Sequence, residues 1–261
     1  AFEKLVLEAS APKGAWTNLF IDTDQVADII ADKRIRGVAL TGSEGAGSAV
    51  AEQAGKHIKK STLELGGNDV FIVLDDADLE KAIQIGCQAR VNNTGQVCTA
   101  AKRFILHKDI AQQFKAGLVE AFKALKIGDP MDRSTTLGPL SSENALKNLI
   151  KQVDKAVQQG ATLVLGGEAI EHDGYFYAPT ILENISRENE AWYEEFFGPV
   201  AQIYVAQDDD EIVQIANDSN YGLGGAIHSQ NIERAKALAS RVETGMLWIN
   251  WLTDSAPELP F

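Results

Sequence analysis

Arg36-Gly37-Val38-Ala39-Leu40-Thr41-Gly42-Ser43-Glu44-Gly45-Ala46-Gly47 runs from a short apolar stretch through small residues into Ala46, Ala49, Val50 and Ala54, which recur at helical spacing. The pattern predicts a strand, a tight turn and a helix. Such a unit is half of a nucleotide-binding βαβ, because free N–H groups at a helix start can hold a pyrophosphate and glycine lets the backbone come close. Gly42, Ser43 and Gly47 are the candidate contacts, with the Ser43 hydroxyl as an added donor. The turn lacks the full G-x-G-x-x-G spacing, so a plain strand-to-helix connection fits the same residues.

Downstream, residues 61–65 read as a second strand ending in Gly66-Gly67 and residues 70–74 as a third. Asp75-Asp76-Ala77-Asp78 then supplies acidic caps for a helix over residues 79–91. Helical patterns follow at residues 110–125, 143–159, 209–217 and 232–242. Candidate strands lie between them at residues 161–165, 200–205, 224–228 and 246–250. The alternation predicts an α/β fold with mainly parallel sheets covered by helices. Gly66-Gly67 is the expected hinge, with residues 1–66 leading, residues 67–250 forming the following domain and residues 251–261 a late segment. The opening stretch reads as the middle of a helix with no cap before it, and Phe261 follows directly on a Pro-Glu-Leu-Pro turn, as expected of a piece of a longer chain.

The composition narrows the function classes. A 45% apolar content over 261 residues supports a sizeable core, and 24 basic against 37 acidic side chains give a charge of −13. That balance repels nucleic acid and anionic membranes. With neither a spanning apolar run nor a signal-peptide pattern, a cytoplasmic protein is expected. Cys87 and Cys98 have no metal-site or disulfide spacing, so both thiols are read as free and no metal is expected.

Chemistry concentrates in three further places. Cys98 closes Asn93-Thr94-Gly95-Gln96-Val97-Cys98, a polar segment read as interrupting one helix and opening another. A cysteine at a helix start has a depressed pKa and N–H groups aimed at an oxyanion; the alternative is a small buried hydrophobe, which is the reading taken for Cys87. Glu64 ends a strand among apolar neighbours, which suits a general base that takes a proton from water, unless it simply points outward. In Glu194-Glu195-Phe196-Phe197-Gly198-Pro199 a carboxylate could take a ribose and an aromatic could flank a flat ring; a helix end with surface acids and core aromatics fits equally.

In order and wording, Thr41 to Gly47, Glu64-Leu65-Gly66-Gly67, Asn93 to Cys98 and Glu194 to Pro199 together resemble the successive motifs of the aldehyde dehydrogenase superfamily, as do Trp248-Ile249-Asn250 and Pro260-Phe261. The resemblance implies part of a Rossmann-type cofactor domain followed by an α/β catalytic domain. It also implies a mechanism: the Cys98 thiolate attacks an aldehyde, hydride passes to NAD or NADP, and Glu64 activates water to hydrolyse the thioester. Leu65 and Gly66 would join the cofactor contacts, Glu195 would bind the nicotinamide ribose, and Phe197 would lie beside the ring. The wording around Cys98 is most similar to bacterial succinate-semialdehyde dehydrogenases, and Arg90, Ser255 and Phe261 are then the expected substrate residues. Asn92 stands where some of that group carry an arginine, which puts Arg90 to the test.

The resemblance places an oxyanion asparagine and an adenosine-binding lysine before Ala1 and subunit-association strands after Phe261. The 261 residues alone are therefore expected to be nearly inactive, and the full-length protein homo-oligomeric. Other readings are a non-catalytic relative of the same fold, a dehydrogenase of another semialdehyde, and a thiol hydrolase pairing Cys98 with His57, His107, His172 or His228.

Overall fold

A computed structural model describes residues 1–259 and 261. Pro260, read above with Phe261 as a late family segment, lies outside the described residues. The fold is α/β and divides into two compact units, Ala1–Leu65 and Gly66–Phe261.

The first unit contains α1 (Phe2–Glu8), α2 (Val26–Ala31), β1 (Gly37–Thr41), α3 (Glu44–Lys56) and β2 (Lys60–Glu64). β1 and β2 pair in parallel, with Thr41 opposite Glu64, and α3 makes the crossover between them. Ser43 starts α3 as its N-cap, its hydroxyl oxygen accepting from the Ala46 N–H at 3.3 Å. Ile30, Gly47 and Ala54 are buried here, whereas Phe2, Leu5, Trp16, Phe20 and Ile58 are exposed.

The second unit contains β3 (Val70–Val73), α4 (Leu79–Val91), β4 (Arg103–His107), α5 (Lys108–Lys123), α6 (Glu143–Gln158), β5 (Thr162–Leu165), β6 (Ala169–Ile170), β7 (Phe176–Tyr177), β8 (Thr180–Glu183), β9 (Val200–Ala206), α7 (Asp209–Asn217), β10 (Gly225–His228), α8 (Ile232–Ala239) and β11 (Trp248–Ile249). A seven-stranded sheet runs β11-β10-β3-β4-β9-β8-β5, parallel except for β5, which is antiparallel to β8. Period-two alternation sends Val70, Ile72, Ile105, Tyr204 and Ile227 into the core shared with α6, α7 and α8. Phe71, Val73, Phe104, Leu106 and Ile203 go into the core shared with α4 and α5. Helices on both faces explain why the central strands are continuous apolar runs. Phe71, Phe104 and Phe114 pack ring to ring within the second core at centroid distances of 5.2 to 6.3 Å.

The structure corrects the sequence reading after Cys98. No helix resumes there: residues 97–100 form a turn that leads into β4. A fully buried strand carries the same apolar run as a buried helix, so periodicity alone does not separate them. No helix among the described residues is long and apolar enough to cross a membrane.

Candidate active site

In the first unit, the parallel register puts the turn after β1 and the end of β2 side by side, and the Gly42 N–H donates to the Glu64 carbonyl at 2.9 Å. Gly42, Ser43 and the half-buried Glu64 thus share the carboxyl end of the strands, where α/β sheets commonly bind ligands. Gly47 and Leu65 pack on each other. A Cβ at Gly47 would stand 2.6 Å from Leu65 Cδ2, so this buried glycine serves the packing of α3 on Leu65.

In the second unit, α4 ends at Val91 and a short 3-10 turn (Asn92–Gly95) follows. Asn93, Thr94 and Gly95 all take positive φ, at 49°, 59° and 75°. Side chains hold this costly conformation. Asn93 Nδ2 donates to the Gln96 carbonyl, Gln96 Nε2 donates to the Asn93 carbonyl, and Thr94 Oγ1 donates to the Gly138 carbonyl, each at 3.1 Å. Glycine is required at 95, because a Cβ there would lie 2.3 Å from the Gly198 carbonyl oxygen. The motif around Cys98 and the motif ending in Pro199 are therefore pressed backbone to backbone.

Arg90 joins the same two segments. It is wholly buried, donating from Nη2 to the Gly95 carbonyl at 2.7 Å and from Nη1 to the Val200 carbonyl at 3.3 Å. Burial brings its pKa down to about 9 against the opposing pull of Glu195 and Asp69. Ser255 and Phe261 are exposed in the last segment.

Cys98 is half-buried in the turn. Without a helix behind it, its thiol is pushed up, not down: burial is the main cause, Asp69 and Glu195 add to it, and the Lys102 charge and a backbone hydrogen bond from Thr99 oppose it. Gly67 brings the neighbouring chain against this turn, since a Cβ at Gly67 would sit 2.4 Å from the Cys98 carbonyl oxygen. Glu195 lies at the same place: its Oε1 accepts from the Gly67 N–H at 3.3 Å and pairs with Lys102 Nζ at 2.9 Å. Gly66 is half-buried just before it. Phe197, 46% exposed, lines two adjoining clefts. One, of about 510 Å³, runs along α6 past Asn148, Gln152 and Glu194. The other, of about 970 Å³, runs past Cys87, Asn92, Gln96 and Ser141. No group of His, Cys, Asp and Glu among the described residues is arranged to hold a metal ion.

The model of the aldehyde dehydrogenase family matches residues 1–261. The chain belongs to the aldehyde dehydrogenase family. Among similar proteins, a succinate-semialdehyde dehydrogenase [NADP(+)] of Deinococcus radiodurans is 49% identical over 261 residues, covering 100% of this chain and 55% of that protein. A succinate semialdehyde dehydrogenase [NAD(P)+] of Escherichia coli is 44% identical over 254 residues, covering 97% and 55%. The crystal structure of a Streptococcus pyogenes succinic semialdehyde dehydrogenase in complex with NADP+ superposes with a TM-score of 0.97 at 53% identity, covering 100% of this chain and 57% of that one. This chain thus spans about 55% of the length of the curated relatives it matches.

Three buried side chains that brace the site in this aldehyde dehydrogenase chain escaped the sequence reading. Arg103 donates to the carbonyls of Asn68 at 2.9 Å and of Ile215 and Ala216 at 2.8 Å, tying the start of β4 to the end of α7. Asp69 accepts from the Gly224 N–H at 3.1 Å, and burial pushes its pKa up to about 6. Lys102 reaches the Cys98 turn itself. The available signal was a Lys-Arg pair set directly before an apolar strand, where charge is expected only if it is paired.

Proposed function

We propose that the protein carrying this chain oxidises succinate semialdehyde to succinate with NADP or NAD. The observation that carries this reading is the juxtaposition of the Cys98 turn, Gly67 and the Glu195 carboxylate beside the Phe197 clefts, in a chain so similar to dehydrogenases of that aldehyde. The cofactor fits these residues: Gly67 and Lys102 both bind Glu195 through Oε1, so Oε2 could accept from a ribose hydroxyl, and the exposed Phe197 ring offers a flat face. When bound, the nicotinamide supplies the hydride acceptor. Gly42 and Ser43 would approach the pyrophosphate, Ser43 through its hydroxyl proton, since its oxygen already caps α3.

The Cys98 thiolate adds to the aldehyde carbon, forming a C–S bond and an alkoxide that backbone N–H groups would hold. Loss of hydride from that carbon leaves the thioester. Glu64 takes a proton from water, the resulting hydroxide adds to the thioester carbonyl, and the Cys98 sulfur departs as the carboxylic acid forms. Ser255 and Phe261 would border the substrate. Arg90, sealed behind the turn, would act on the substrate only through the shape of the turn.

Glu64→Gln tests the assignment of the two half-reactions in the full-length protein. Rapid mixing with succinate semialdehyde and NADP should give a burst of reduced nicotinamide near the wild-type rate, followed by a steady state slowed by about 10² or more. An unchanged steady state would remove Glu64 from the mechanism.

A further inference from the structure

Lys102 is fully buried, and its ammonium makes three contacts: the Val97 carbonyl at 2.9 Å, the Cys98 carbonyl at 2.6 Å and Glu195 Oε1 at 2.9 Å. An ammonium has three N–H donors, so its capacity is used in full. Its pKa lies below the usual lysine value because burial and the neighbouring Arg90 outweigh the pull of Glu195 and Asp69. Desolvating an ion costs several kcal/mol, offset only where geometry and partners are good. Two of the partners are carbonyls of the nucleophile's own turn; the third is the carboxylate beside the cofactor cleft.

We propose that Lys102 is a positioning residue that couples the nucleophile to the cofactor-side carboxylate, one ammonium holding the Cys98 turn and Glu195 in fixed relation. The proposal rests on the reading of Cys98 as nucleophile and Glu195 as ribose ligand, and it adds a residue that contacts neither substrate nor cofactor. Lys102 also supplies the positive charge that faces Cys98. The titratable groups acting on that thiol are Lys102, which favours the thiolate, and Asp69 and Glu195, which disfavour it. Removing the lysine and neutralising the glutamate should therefore move the thiol in opposite directions, whereas loosening of the turn would move it one way in both variants.

The test is the pH dependence of iodoacetamide alkylation, followed by mass on the peptide that carries Cys98. The thiolate forms a C–S bond and expels iodide, so no dehydrogenase turnover is needed and failure of the functional reading stays distinguishable. Cys87, half-buried in α4 with its pKa pushed up to about 11 by burial, reports general loosening in the same digest. In Lys102→Met the Cys98 midpoint should rise by about one pH unit or more, as expected for loss of a nearby opposite charge. In Glu195→Gln, which keeps an oxygen acceptor for Lys102 and Gly67, the midpoint should fall. Cys87 should stay slow in both. An unchanged Cys98 profile in Lys102→Met overturns the proposal, as do shifts of the same sign in the two variants. Should Lys102→Met fail to fold, a midpoint in Glu195→Gln that stays put or rises overturns it by itself.

Discussion

Arg90 sits two residues before the turn at Asn92, and its buried guanidinium donates from Nη2 and Nη1 to the carbonyls of Gly95 and Val200. Sequence spacing cannot report which side of a helix end faces the interior. Arg90→Met leaves both carbonyls without this donor; charged hydrogen bonds contribute about 1.5–3 kcal/mol each, and relief of the buried cation's desolvation offsets part of their loss, so the variant should lose roughly 2–4 kcal/mol of stability in urea. A variant with unchanged urea midpoint and a raised KM for succinate semialdehyde would instead restore Arg90 to the pocket. Cys98, Glu64 and Glu195 were named from motif wording. Lys102 was not, since its importance depends on where β4 begins relative to the turn.

Among elements, the turn from Asn92 to Gly95 is the one whose conformation matters most, and its consecutive positive φ angles were invisible to a reading by hydrophobic period. Gly95→Ala combines a φ of +75° with a Cβ 2.3 Å from the Gly198 oxygen. It should cost at least about 2 kcal/mol, and far-UV circular dichroism should show the sheet retained while the denaturation midpoint falls. An alanine variant as stable as the parent would mean that the two motifs are not pressed together. Long amphipathic helices were legible: α4 lies behind its acidic cap Asp78, and α7 covers the residues its pattern marked, with the Asp208 carboxylate accepting from the Asp210 and Glu211 N–H groups. β4, β8 and the β6–β7 hairpin were not. β4 and β8 are short strands buried in the sheet, with no polar alternation to mark them, and β6 and β7 are two residues each.

For the molecule as a whole, the two units differ in how much apolar surface they enclose. The second wraps helices over both faces of a seven-stranded sheet, whereas the first has two strands and, of its residues 1–65, buries Ile30, Gly47 and Ala54 alone. Two-stranded sheets are marginal by themselves. Amide hydrogen exchange of this chain should therefore find β1 and β2 exchanging through local opening, well before β3, β4 and β9, which should exchange only by global unfolding. Equal protection in both units would contradict that ranking. The unit expected to be less protected carries Glu64 and the Gly42-Ser43 turn, whereas Cys98 belongs to the unit with the seven-stranded sheet.

In the proposed reaction the Cys98 sulfur forms the bond to the substrate. Full-length protein with Cys98→Ala, mixed with succinate semialdehyde and NADP, should produce no reduced nicotinamide absorbance at 340 nm, in burst or steady state, while Cys87→Ala keeps near-parental turnover. Turnover by Cys98→Ala at the parental rate would contradict the account.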